Sequence, residues 1–177
     1  EGIPSTANPM KGTFSAGNDC IKNCILNPNL MHNRYNGDYT YYNLWSADNK
    51  TTSANDNPVN KTIYDPCPVG FKLPASNAFT GFTTTGESVS SSTQVNGTWS
   101  SSEKGWYFYT NSEKTQSIFF PALGYRSYSS IGTQGCFWSA HPVAKGNNYY
   151  LRTSSVDVQP TYMVDRGFGY ALRPCQD

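Results

Sequence analysis

Five cysteines and two histidines are the side chains best suited to chemistry in this chain, and their spacing limits what that chemistry is. The cysteines stand at 20, 24, 67, 136 and 175, the histidines at 32 and 141. A zinc site takes four Cys or His ligands at close spacing. The nearest approach, Cys20-x-x-x-Cys24 with His32, falls short of that, so neither metal nor cofactor is expected. Disulfides in an exported protein are the other use for these thiols, and the odd count leaves at least one unpaired. Cys20 and Cys24, one turn apart on a helix, would share a face and bridge poorly. Cys67 lies in Tyr64-Asp65-Pro66-Cys67-Pro68-Val69-Gly70-Phe71-Lys72-Leu73-Pro74, where two prolines force extended geometry and Gly70 permits a sharp turn. Such a kink is a place to tie two parts of a fold together, and Cys175, two residues from the end, is the candidate partner. His141 has no nucleophile motif of the Gly-x-Ser-x-Gly kind beside it, and the chain is not expected to be an enzyme.

The remaining chemistry is that of recognition. Only 14% of the residues are charged, against about 25% in an average soluble domain. Asn, Ser, Thr and Tyr fill the deficit. The 13 Tyr, 9 Phe and 4 Trp pair contact area with hydrogen-bonding tips, a composition that suits β-structure and binding surfaces alike. The net charge is +1 and the 13 basic residues form no run. Nucleic acid is therefore not expected as a partner, and a membrane only through an upstream anchor.

Local patterning sets the framework that holds these residues. The length of 177 residues fits one domain over residues 13–177, with a Gly/Pro-rich tether at 1–12. Asn18 or Asp19 caps an expected helix through Ile21, Cys24 and Ile25, and Asn27-Pro28-Asn29 stops it. From Leu30 to Asn60 a long ordered loop is expected, pinned by the cluster from Tyr39 to Trp45, with Thr51 to Pro58 as its exposed tip. Folding those rings inward is preferred to a sugar-stacking role. Ser76 caps a second expected helix through Phe79 that ends at Gly81, and Thr83 to Ser92 reads as a mobile polar excursion.

Strand-sized segments occupy the rest of the chain: Val95 to Trp99, Trp106 to Thr110, Gln116 to Phe120, Phe137 to Ala140, Asn148 to Arg152, Val156 to Gln159 and Tyr170 to Arg173. Asn96-Gly97 and Lys104-Gly105 mark turns at or near hairpins. Trp99, Trp106 and Trp138 are assigned to the core. The class expected is α+β, with two short helices, mainly antiparallel sheets and long ordered loops.

Four blocks in order carry a resemblance. They are Asp65-Pro66-Cys67-Pro68 through Pro74, then Phe120-Pro121-Ala122-Leu123-Gly124-Tyr125-Arg126, then Gly135 with Trp138-Ser139-Ala140, then Gly169-Tyr170-Ala171-Leu172-Arg173. Over about residues 60–177 the chain resembles the "major paralogous" (FISUMP) domains of bacterial surface lipoproteins. These are similar to the C-terminal domain of Legionella collagen-like protein and related to the C-type lectin-like fold. Within that group the chain looks closest to target proteins of diversity-generating retroelements in gut bacteria. Their variable segment would correspond here to about 134–170.

The resemblance implies a fixed scaffold that includes Gly135, Trp138, Leu151, Pro160 and Arg173. It implies ligand-binding positions at Phe137, His141, Tyr149, Tyr150, Arg152, Asp157, Gln159, Tyr162, Met163, Asp165 and Phe168. Tyr149, Tyr150, Arg152, Asp157 and Tyr162 are expected to form one face. Many family members carry their last cysteine directly after the Arg of the terminal strand, whereas here Pro174 precedes Cys175. The Trp-Ser-Ala sequence and the downstream Gln159-Pro160-Thr161 lack the calcium and sugar motifs of C-type lectins. The function implied is non-catalytic, adhesin-like binding of a protein or glycan on another cell, at the outer cell surface or outside it. The alternative is a structural subunit or tip module of a pilus or surface assembly.

Overall fold

The computed structural model describes residues 45–48, 53–126, 131–143 and 147–177, together with Leu26. The expected first helix and most of the Tyr39 to Trp45 cluster lie outside the described residues.

Among the described residues the chain is nearly all β, not α+β with two helices. The strands, in chain order, are β1 (Phe71–Lys72), β2 (Gly97–Ser100), β3 (Gly105–Tyr109), β4 (Ser117–Pro121) and β5 (Tyr125–Arg126). They continue with β6 (Ile131–Gly132), β7 (Gly135–Pro142), β8 (Asn147–Thr153), β9 (Val158–Asp165) and β10 (Cys175–Gln176). Two antiparallel three-stranded sheets, β2-β3-β4 and β7-β8-β9, carry the core, and β1-β10 and β5-β6 are two-stranded pairs. The C-type lectin-like arrangement expected with the two helices is corrected along with the class.

The helix expected from Ser76 fails because distant residues claim its cap. The Ser76 hydroxyl is used across the chain, accepting the Asn55 N–H at 2.7 Å and bonding the Asn55 carbonyl at 3.1 Å, so it caps nothing. The chain beyond it forms a string of turns and a three-residue 3-10 piece, Thr80–Phe82, too short to propagate as an α-helix. The segment from Thr83 to Ser92, expected to be mobile, is tied down by a pair of hydrogen bonds between Val89 and Val158, at 2.9 and 3.1 Å. Val89 is buried there. Its one apolar side chain outweighs the polar run around it.

Alternation explains the first sheet. In β3, Trp106 and Phe108 face inward while Tyr107 and Tyr109 face out, and Trp106 pairs with Phe120 of β4. A core forms from these rings with Phe79, Val95, Phe137, Leu151 and Val158. The second core gathers Val59, Cys67, Leu73, Cys136, Trp138, Ala140 and Tyr150, with Trp45, Phe168, Tyr170 and Leu172 packed against it. Strand β7 lies between the two and is buried at all eight positions. Phe137 enters the first core; Cys136, Trp138 and Ala140 enter the second. The expected strand from Tyr170 to Arg173 instead forms a parallel bridge to β7, with Ala171 bonded to Cys136 and Trp138 at 2.9 and 3.1 Å.

The kink is held by one carboxylate and one ammonium. Asp65, buried, accepts the N–H of Cys67 at 2.8 Å and of Leu73 at 3.0 Å. Lys61 Nζ donates to the carbonyls of Cys67, Pro68 and Phe71 at 2.6, 2.8 and 2.5 Å. Cys175 reaches this region by pairing with Lys72 across β1 and β10. Both Cys67 and Cys175 stand as thiols. Burial, then the bond to Asp65, pushes the Cys67 thiol up to about 12.

Gly135 marks the tightest point of the scaffold. A Cβ there would lie 2.4 Å from Thr153 Oγ1, and Thr153 is fully buried. Gly135→Ala is expected to cost about 1–3 kcal/mol by overpacking, read as a lower midpoint in urea unfolding with an unchanged slope.

Candidate ligand-binding site

The residues expected to bind divide by burial. Phe137, His141, Tyr149 and Tyr150 are inside, none more than 7% exposed, so as the chain stands they support a surface rather than form one. Tyr149 aligns with Met163 and Tyr150 with Tyr162 across β8 and β9. Successive residues on a strand point to opposite faces, which separates Tyr149 from the expected group. Arg152, Asp157, Gln159, Asp165 and Phe168 are half-buried, while Tyr162 and Met163 are exposed. Phe168 packs against the second core and stacks near Tyr170 at 5.8 Å.

Arg152, Asp157, Gln159 and Tyr162 do come together. A register shift between Tyr150 and Arg152 sets Arg152 opposite Gln159. Arg152 Nε donates to Gln134 Oε1 and Nη1 to Gln159 Oε1, both at 3.0 Å. Its Nη1 lies 3.6 Å from Asp157 Oδ2, and its guanidinium lies 5.7 Å from the Tyr162 ring centre. Asp157 is fixed in turn by the Ser154 hydroxyl. Tyr162 stands edge-on to Tyr150 at 5.8 Å, and Tyr150 bonds Tyr170 behind it. Burial pushes the Tyr150 phenol up to about 12, and the Tyr170 phenol is raised too, so both are neutral anchors. The result is a rigid Arg–Tyr edge backed by buried aromatic rings.

Beside it runs a groove of about 560 Å3, lined by Trp99, Lys104, Leu123, Thr133, Gln134 and Ser155 among others. Gln134 and Ser154 belong to both, since they line the groove and hold Arg152 and Asp157. Sequence reasoning missed the groove. It assigned Trp99 to the core, and Trp99 does pack against the first core, but it stays half-buried and also lines the groove. Trp106 and Trp138 are buried as expected. No sequence signal marked the groove, because its lining comes from segments far apart in the chain.

His141 has a different role from the one expected. It is buried on β7, and its Nδ1 accepts the Ser76 N–H at 3.2 Å with the Ser76 hydroxyl at 3.1 Å. A Ser–His contact of this kind resembles a nucleophile and its base, but Ser76 and His141 are 0% and 1% exposed and no substrate reaches them. Among the described residues no three His, Cys, Asp or Glu side chains gather as a metal would need. Among them, too, no helix is long and apolar enough to cross a membrane.

No protein-family model, no curated protein and no solved structure matches this chain. The resemblance to the major paralogous domains therefore rests on its motifs alone.

Burial holds the His141 pKa below its ordinary value of 6.5. Between the folded value and 6.5 the unfolded chain binds more protons than the folded one, so stability falls as pH drops through that window. Urea unfolding from pH 7.5 to 5 is expected to show this loss, with His141→Gln flattening the slope.

Proposed function

We propose that this is a non-catalytic binding domain, displayed outside the cell, whose contact surface is the edge formed by Arg152, Gln159 and Tyr162. One observation carries the reading: the Arg152 guanidinium is held by two amide oxygens and a carboxylate while lying over an exposed tyrosine. Fixing a long side chain in advance removes part of the entropy cost of binding. Tyr and Arg are also the types that dominate binding energy at interfaces.

The likeness to retroelement target proteins supports the same surface, since its implied variable positions include Arg152, Asp157, Gln159, Tyr162 and Met163. On this reading the buried members of that set, Phe137, Tyr149 and Tyr150, tune the scaffold from behind. The target is a protein or glycan on another cell.

A second reading, a module of a surface assembly, draws on the rigid kink. Ile63 and Val69 are 92% and 97% exposed there, beside the exposed Phe71. Apolar side chains on a stiff exposed loop suit a fixed subunit contact.

Beads coated with the domain, tested for adherence to panels of bacterial and epithelial cells, separate these readings. Substituting Arg152→Ala and Tyr162→Ser together is expected to reduce adherence at least about tenfold, as loss of interface hot spots does. The fold should persist, because Tyr162 is exposed and Arg152 is only half-buried. Undiminished adherence of the folded variant, or none by the parent domain, counts against the binding reading. Loss of adherence through Val69→Ser instead would favour the assembly module.

A further inference from the structure

The groove next to the Arg152 edge has a chemistry of its own, and that chemistry names a class of ligand. Its wall is the indole of Trp99, which packs edge-on against Trp106 at 5.7 Å and 66°. Trp106 is locked in turn by its Nε1–H donating to the Ser154 carbonyl at 2.7 Å. Leu123, 66% exposed, extends the apolar wall. Around these stand neutral hydrogen-bonding groups from Thr133, Gln134 and Ser155. Among the described residues no carboxylate lines the groove, and Lys104 is the one charged residue there.

Lys104 is held in place by its backbone. Its φ of 55° puts it in the left-handed region at the end of the β2-β3 hairpin, and its carbonyl accepts the Ala122 N–H at 2.7 Å. Among the described residues its ammonium makes no ion pair. A second cation, Arg152, stands directly behind Gln134.

We propose that this groove binds a short glycan bearing a carboxylate-carrying sugar, with the sugar ring against Trp99 and the carboxylate meeting Lys104. The proposal rests on the binding-domain reading above and names the ligand for the surface next to its Arg–Tyr edge. A pyranose has an apolar C–H face and a hydroxylated rim. A fixed aromatic ring edged by neutral donors and acceptors complements both. The volume of about 560 Å3 falls within the usual range for small ligands, about 300–1,000 Å3. The groove is open and polar-rimmed, whereas an aromatic side chain of a protein partner would seek an enclosed apolar pocket. The unpaired ammonium and the missing carboxylates select for an acidic sugar over a neutral one.

The test titrates 3′-sialyllactose, a hyaluronan tetrasaccharide and lactose into the full chain, followed by tryptophan fluorescence and saturation-transfer NMR. At least one acidic probe is expected to bind more tightly than lactose and to change tryptophan emission. Trp99→Leu should abolish that change. Lys104→Asn, which tolerates the left-handed backbone, should weaken the acidic probe about tenfold, the size of one lost charge-assisted contact. The same substitution should leave lactose unaffected.

Trp99 also packs on the core, so Ser155→Phe, which obstructs the groove from an exposed position, provides a second variant. Binding undiminished in both variants overturns the proposal, as does failure of both acidic probes or a preference for lactose. If no probe binds while adherence still depends on Arg152 and Tyr162, the glycan assignment alone is lost. If adherence is also independent of those residues, both readings fall.

Discussion

Strand β7 has water on neither face, and the packing of the rest of the chain depends on that burial. Phe137 packs among the rings of β3 and β4, while Cys136, Trp138 and Ala140 pack against the kink and the C-terminal segment. A strand buried on both sides must have every backbone group paired, because an orphaned amide in a dry interior is costly. One edge is met by β8. The other is met piecemeal, by Ala171 at one end and by Pro74, whose carbonyl accepts the Ala140 N–H at 2.8 Å, at the other. The kink and the terminal segment are thus fixed by one strand's unfilled hydrogen bonds.

That arrangement explains how a protein with few charges can hold a rigid surface. Buried polar groups act where charge pairs would otherwise be used. Asp65 and Lys61 bracket the kink through backbone groups, and the Asn148 amide donates to the Ser139 carbonyl at 2.6 Å inside the second sheet. Such groups stabilise only when satisfied. Each binds a specific backbone atom, so each also selects one conformation of the loop it touches. Tyr150 and Tyr170 do the same for the sheet surface. Their rings fill space, and their bonded hydroxyls fix the plane on which Tyr162 and Arg152 rest.

The surface that results has two unlike halves joined by Gln134 and Ser154. One half is cationic and aromatic, set on the edge of β8 and β9. The other is a groove walled by an indole and rimmed by neutral groups. Contact between them places sequence-distant residues, Trp99 and Lys104 with Ser155, within one ligand's reach.

Most of the strands were legible in the sequence. Strand-sized segments bounded by turn residues placed β3, β4, β7 and β8 to within a residue or two, because turn chemistry is a local property. The kink was equally legible, since prolines at 66 and 68 and Gly70 restrict the backbone without help. The helix expected at Ser76 was not, because its hydroxyl is taken by Asn55 and His141, 21 and 65 residues away. The order of the Thr83 to Ser92 segment likewise depends on Val158, far along the chain. Within the candidate site, sequence reasoning named Arg152, Asp157 and Tyr162 as parts of one face. It set Tyr149 and Tyr150 beside them because a run of residue types does not show which side chains are buried. The placing of β7 between two cores depends on contacts between distant segments, so it emerged only in the folded chain, and it turned Phe137 and His141 inward.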